Sequence, residues 1–168
     1  MMKTGRPKIN VPLEGLDIIL DLLSATILIL LIVYAIISYS ELPDTIPSHF
    51  NAKGEVDAYS NKSILWLLPG LGVILFFGLY VLNKYPHIHN YMVNITEENA
   101  LKNYRLSTRI VRFTNLFVMV IFGIVMHSII ESAKNNNSNM NNWILPFIIG
   151  FSILLPIAIL IYQKKINK

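Results

Sequence analysis

The stretch IILDLLSATILILLIVYAIISY, residues 18–39, decides the fold class, because it is long, apolar and carries a single charge, Asp21. Three further apolar runs carry no charge, at residues 64–82, 113–130 and 143–162. A helix needs about 20 mostly apolar residues to cross the hydrocarbon core of a bilayer. Four such runs leave too little polar chain to cover them in water. We therefore predict an all-α membrane protein with one domain, residues 1–168, and four transmembrane helices at about 18–40, 63–83, 112–131 and 143–162.

The composition agrees with this class. Of the 168 residues, 54% are apolar and 14% are charged, whereas soluble domains carry about 25% charged residues. This shortage of charge argues against nucleic-acid binding. The chain has no cysteine, which excludes disulfides, thiolate zinc sites and cysteine nucleophiles. No cofactor is implied.

The positions of the lysines and arginines predict the orientation in the membrane, since cytoplasmic loops carry an excess of both. With the N-terminus in the cytoplasm, 11 of the 14 Lys and Arg residues lie inside, and Lys53, Lys62 and Lys134 lie outside. We predict that both termini are cytoplasmic. The tail 1–17 (poorly ordered over its first 12 residues) and the loop 84–111 then lie inside, and the loops 41–62 and 132–142 lie outside. The net positive charge suits the anionic headgroups of the lipid bilayer.

The first outer loop, ELPDTIPSHFNAKGEVDAYSNK at 41–62, is the richest in polar chemistry. Pro43 and Pro47 favour extended backbone. Gly54 completes a turn signal, so two short arms could form a hairpin lid over the helices. In the interpretation we favour, the loop is a structural lid whose exposed face meets a partner.

Two other interpretations of this loop stay open. A metal site would combine His49 with two of the three carboxylates Asp44, Glu55 and Asp57, which hard cations or zinc accept. A membrane enzyme would use His49 as a general acid–base with Asp44 and Asp57. The spacing matches no metal motif that we can justify mechanically, and no serine or cysteine nucleophile accompanies the histidine.

The same stretch resembles the signature of a bacterial membrane domain of unknown function, which also forms the N-terminal part of SdpI-like immunity proteins. The residues that carry the resemblance are Pro43, Asp44, Pro47, His49, Phe50, Asn51, Gly54, Asp57 and Lys62. In that family the stretch lies between the first two transmembrane helices, as it is predicted to lie here. Before the lysine the family often has glycine and serine, where this chain has Ser60 and Asn61. The resemblance implies a multipass protein of the bacterial inner membrane, with an immunity or signalling accessory role and no catalytic residue.

Two charged stripes occur near the predicted cytoplasmic edge. Glu14, Asp17 and Asp21 form an acidic stripe, and the spacing of Lys102, Arg105, Arg109 and Arg112 places them on one helical face. Thr96 is a candidate N-cap for this basic helix, which is amphipathic and leads into the third transmembrane helix. We hypothesise that the two stripes pair with each other. A joint charge reversal at Asp21 and Arg109 would test this pairing. Alternatively, both stripes are solvated or bind lipid headgroups.

The remaining histidines give weaker signals. His87 and His89 would share a face of an extended chain and could bind a metal, although exposed loop histidines are more common. We expect no metal there. His127 is expected to bond a neighbouring carbonyl or to approach His49.

Three functions follow from these patterns. The first is an integral membrane interaction protein that binds a peptide or a membrane protein partner through its outer loop. Such a protein could also assemble as a homo-oligomer. The second is a small oligomeric transporter or channel subunit, which would need polar groups deep in the helices, where Ser24, Thr26, Asn115 and Ser152 are the only modest candidates. The third is the membrane enzyme. We favour the first, because no catalytic constellation is present.

Overall fold

The computed structural model describes residues 5–135 and 143–167 and is mostly helical. Its long helices are α1 (Gly15–Tyr39), α2 (Leu67–Leu82), α3 (Ala100–Asn135) and α4 (Ile144–Ile166), and its strands are β1 (Thr45–Phe50) and β2 (Val56–Asn61). Short 3₁₀ turns occur at Lys62–Trp66, before α2, and at Pro86–Ile88. The prediction of an all-α chain is therefore corrected, because the outer loop forms an antiparallel β-hairpin. Residues 136–142 of the predicted second outer loop, like 1–4 of the tail, lie outside the described residues.

Within the described residues, four helical segments are long and apolar enough to cross a membrane, with mean hydropathies of 2.1 to 2.8. This indicates a multipass membrane protein. The exposed leucines and isoleucines on the outer faces of α1, α2 and α4 are then the surface that acyl chains cover.

Helix α3 is 36 residues long and joins the predicted amphipathic helix to the predicted third span without a break. At 1.5 Å per residue it is about 54 Å long, well beyond the ~30 Å hydrocarbon core. The helix begins at Ala100, whose amide donates to the Thr96 carbonyl at 2.9 Å, so Thr96 lies four residues before the first helical residue and, contrary to the prediction, is not the N-cap. The side-chain bond at this end comes from Asn99, whose Oδ1 accepts from the Thr96 amide at 3.0 Å.

Helices α1 and α3 run side by side in the same direction. Near their starts Arg112 contacts Asp21, and near their ends Tyr34 contacts His127. Helix α2 fits against both, because Gly72 brings its backbone close to Leu28 of α1 and Met119 of α3. We call the end where α1 and α3 begin the base, and the opposite end the hairpin end.

The largest buried cluster lies at the hairpin end. Its core joins α1, the hairpin, the turn before α2, and α3 through Leu31, Ala35, Leu42, Ile46, Leu65, Met126, Ile129 and Ile130. Ile46 and Leu65 are fully buried. The hairpin is therefore part of the packed bundle. Helix α4 contacts α3 through aromatic rings, with Phe117 stacked on Phe151 at a centroid distance of 3.9 Å, and through reciprocal hydrogen bonds between Asn103 and Asn167 at 3.0 Å.

Candidate functional site

The turn of the hairpin is built by its own side chains. Asn51 Oδ1 accepts from the amides of Lys53 and Glu55, at 2.8 and 3.0 Å. Gly54 has a φ of 80°, a left-handed conformation in which a Cβ would be strained. The predicted turn at residues 52–54 is therefore present, and it fixes the register of the two strands.

The strands present one exposed polar face. His49 Nδ1 lies 2.5 Å from Asp57 Oδ1, and the two side chains are 67% and 43% exposed. Tyr59 is two residues beyond Asp57, on the same face of β2, and is 61% exposed. The register shifts around His49, a bulge of the kind that re-aims a side chain. We call His49, Asp57 and Tyr59 the hairpin face.

The opposite side of the hairpin anchors it to the helices. Ile46 is buried there, and Phe50 packs against the core cluster. Pro47 is also buried, but it is the cross-strand partner of Tyr59 and therefore lies on the same face as Tyr59. Lys62 ties the base of the hairpin together, because its Nζ lies 3.3 Å from both the Leu42 carbonyl oxygen and Asp44 Oδ1. Pro43 is exposed beside it. The sequence-predicted residues thus divide into anchoring and displayed groups.

The contacts do not assemble the predicted metal or catalytic groups. Of the three carboxylates proposed for His49, only Asp57 reaches it. Asp44 pairs with Lys62, and Glu55 accepts from the Asn51 amide nitrogen at 2.9 Å. Within residues 5–135 and 143–167, no group of three or more His, Cys, Asp or Glu side chains is placed to hold a metal.

At the base, the acidic residues of α1 meet the arginines of α3. Glu14 contacts Arg105 at 3.0 Å and also pairs with Arg109. Asp17 Oδ1 accepts from Arg109 Nε at 3.0 Å, and Asp17 is only 2% exposed. The structure therefore brings the two predicted stripes together.

The pairing differs in detail from the expected one. Asp21 bonds Arg112, through Nε at 3.0 and 3.1 Å, and the expected Asp21–Arg109 pair is replaced. Lys102, the fourth basic residue, turns away from α1 and donates to the Ile166 carbonyl at the end of α4, at 2.7 Å. Only the arginines of the basic stripe therefore face the acidic one.

An ion pair also closes the other end of the α1–α3 contact. Lys134 of α3 pairs with Glu41, which follows α1. The hydrogen bond from Lys134 lowers the pKa of the Glu41 carboxyl. Toward the middle of the same helix, His127 Nδ1 lies 3.0 Å from the Tyr34 hydroxyl. The predicted approach of His127 to His49 is therefore wrong, because both rings have other partners.

His89 has no free ring nitrogen with which to join His87 in the conceivable metal pair. His89 is buried, and its two ring nitrogens contact the Ser107 hydroxyl at 2.7 Å and the Leu82 carbonyl at 3.1 Å. Burial lowers the pKa of His89 below 6.5. Nearby, burial raises the pKa of the Tyr91 hydroxyl to about 12, and this hydroxyl donates to the Pro86 carbonyl at 2.7 Å.

The sequence analysis missed the role of the N-terminal tail. Arg6 donates to the carbonyls of His87 and His89, at 3.2 and 2.7 Å. Tyr104 of α3 donates to the Pro7 carbonyl at 2.9 Å. The expectation that residues 1–12 are poorly ordered is therefore wrong for Arg6 and Pro7, which hold the 84–111 segment against the base.

Comparison with known proteins adds a partial match. Residues 26–73 match the domain of unknown function DUF1648. This range covers most of α1, the hairpin and the start of α2, and therefore includes the hairpin face. The match supports the resemblance to a domain of unknown function found at the sequence level, and does not bear on SdpI-like immunity or a bacterial origin.

A similar curated protein is described as an uncharacterized protein of Archaeoglobus fulgidus. It is 35% identical over 69 residues, which cover 36% of this chain and 38% of that protein. The chain thus spans well under half the length of the curated relative that it matches. No solved structure matches the chain.

Proposed function

We propose that this chain is an integral membrane interaction protein that binds a peptide or another membrane protein through the hairpin face. The observation that carries the proposal is the division of the hairpin into two sides. Ile46 is fully buried in the bundle, while His49 and Tyr59 stand exposed on the other side. A rigid platform with an exposed aromatic and polar surface is suited to recognition, because little entropy is lost on binding.

The proposal includes an orientation and a partner chemistry. By the excess of Lys and Arg at the base, both termini are cytoplasmic and the hairpin is outside. The resemblance to SdpI-like proteins adds that the membrane is a bacterial inner membrane. The loop 41–62 carries four carboxylates and two lysines, so the favoured partner segment is basic. Because the chain resembles SdpI-like proteins, a peptide that it binds in an immunity or signalling role is the first partner class to test.

The two alternatives have less support. For the enzyme, Asp44 pairs with Lys62, so Asp57 is the only one of the two proposed carboxylates that contacts His49. For a transporter or channel subunit, Asn115 is a buried polar group in the contact between α2 and α3, and its Nδ2 lies 3.5 Å from the Phe76 carbonyl. A pathway built on Asn115 would need further polar groups from other copies of the chain.

Photo-crosslinking in cells tests the interaction directly. A photoreactive phenylalanine replaces Tyr59 in the full chain, and a matched variant carries it at Tyr85, which is 49% exposed beyond the other end of α2. A discrete protein or peptide adduct at position 59, lost in the background of His49→Ala and missing at position 85, is the expected result. Adducts only to lipid, or equal adducts at both positions, would overturn the proposal.

A further inference from the structure

A second surface lies at the base, between α3 and α4. It is a groove of about 440 Å³. Apolar side chains line its length, including Leu106, Ile110 and Phe113 of α3 and Leu155 and Ile159 of α4. Lys102, Arg105 and Tyr162 lie toward its base end, which we call the mouth, and Arg109, which is paired with Asp17 and Glu14, lines it one turn further in. The groove therefore carries its cations toward the base and is apolar beyond Arg109.

The groove extends along about three turns of each helix. From Lys102 to Phe113 the helix α3 rises about 16 Å at 1.5 Å per residue. From Ile166 to Leu155 the helix α4 covers the same distance. A groove of this length, with cations at one end, accommodates much of one acyl chain beside its headgroup.

The cations at the mouth retain donors for an anion. The ammonium of Lys102 carries three N–H groups, of which the Ile166 carbonyl accepts one. Arg105 approaches Glu14 through its Nε, and a guanidinium has four further N–H groups. These donors point to an acceptor-rich group, such as a phosphate, at the mouth.

The charge balance at the base favours the same ligand. The carboxylates of Glu14, Asp17 and Asp21 face the three arginines of α3. Lys102 is bonded to a neutral carbonyl, and the last turn of α4 adds Lys164 and Lys165. The end of the groove therefore carries excess positive charge, complementary to an anionic headgroup.

We propose that this groove is a binding site for an anionic phospholipid, with the phosphate at Lys102, Arg105 and Tyr162 and one acyl chain between α3 and α4. The site is separate from the hairpin face and does not depend on the proposed interaction function. The lipid would also fill the space between α4 and the rest of the bundle, so its binding should stabilise the docking of α4.

Ligand-dependent thermal unfolding of the purified full chain in detergent tests the site. Phosphatidylglycerol is compared with phosphatidylcholine of the same acyl chains, and with inorganic phosphate alone. We expect stabilisation by phosphatidylglycerol only. Equal stabilisation by the two lipids, or by free phosphate, would overturn the proposal, since neither requires an anionic headgroup joined to a chain in the groove.

Three variants locate the binding. Lys102→Gln is expected to weaken phosphatidylglycerol binding about fivefold, the size of an exposed ion pair, and Ala158→Phe is expected to abolish it by filling the groove. Lys84→Gln is the control, because Lys84 lies at the same end but over the Tyr80 ring. If Ala158→Phe fails to fold, the site is tested by comparing phosphatidylglycerol binding to Lys102→Gln with binding to Lys84→Gln. Equal weakening by both lysine variants, or by neither, contradicts a site in the groove.

Discussion

Arg112 of α3 lies with its Nε 3.0 Å from Asp21 Oδ2 and its Nη1 4.0 Å from Asp17 Oδ1, so one guanidinium bridges two carboxylates of α1. Arg112 is 8% exposed and Asp17 is 2% exposed. At the edge of a membrane such charges are costly unless they are paired. The bridge therefore fixes the axial position of α1 against α3, and the Lys134–Glu41 pair repeats this at the hairpin end.

Substitution of Arg112 is expected to be strongly destabilising. Arg112→Gln removes the partner of Asp21 and leaves buried Asp17 with Arg109 alone, a loss of about 3–5 kcal/mol in the free energy of unfolding. Arg105→Gln is the matched control, because the Arg105–Glu14 pair is more exposed and is expected to contribute less than about 1 kcal/mol. Unfolding in detergent measures both, and equal effects of the two variants would show that burial of the bridge is unimportant.

Gly72 marks the closest approach of α2 to the other helices. A Cβ there would lie 3.0 Å from Leu28 Cδ1 and 3.5 Å from Leu31 Cδ2. Gly72→Leu is therefore expected to force the helices apart, at a cost of about 1–3 kcal/mol. Gly78→Leu places the same side chain on the same helix where nothing lies within 4 Å. Similar thermal stabilities for the two variants would contradict this packing.

The His49–Asp57 pair is expected to matter for binding and little for folding. Both side chains are substantially exposed, so His49→Gln should lower the free energy of unfolding by less than about 1 kcal/mol. Loss of the photo-adduct at position 59 with folding intact is the expected outcome. If His49→Gln unfolds the protein, the hairpin face has a structural role, and its assignment as a binding surface is wrong.

Burial of His89 predicts a pH dependence of stability. The pKa of His89 is lowered in the folded chain from 6.5, so the unfolded chain binds a proton first as the pH falls. The contribution of neutral, buried His89 to the free energy of unfolding is complete above about pH 6.5. This contribution is lost progressively as the pH falls toward the pKa of His89 in the folded chain. His89→Gln should reduce this slope in thermal unfolding. An unchanged slope in the His89 variant would argue against a buried neutral imidazole.

The sequence predicts those features that depend on local spacing. The apolar runs indicate the helices, and the turn at Gly54 indicates the hairpin, because each depends on neighbouring residues. The facing of the charged stripes also follows from helical spacing. Which carboxylate meets which arginine depends on the axial offset of α1 and α3, which their packing determines. Asp21 therefore meets Arg112 instead of Arg109.

The remaining surprises are contacts between residues distant in the chain. Arg6 reaches carbonyls 81 and 83 residues away, and His127 reaches Tyr34 across 93 residues. Polar residues in a tail and a single histidine in an apolar run carry no local signal for such partners. The burial of His89 is equally a product of tertiary packing, since it depends on Ser107 of α3.

We propose that the hairpin face and the base lie on opposite sides of one membrane. The absence of native cysteine allows a direct measurement, in which Tyr59→Cys and Lys84→Cys are labelled with a membrane-impermeant maleimide on intact cells and after permeabilisation. We predict that Tyr59→Cys reacts on intact cells and that Lys84→Cys reacts only after permeabilisation. Labelling of both positions on intact cells, or of Lys84→Cys alone, would contradict it.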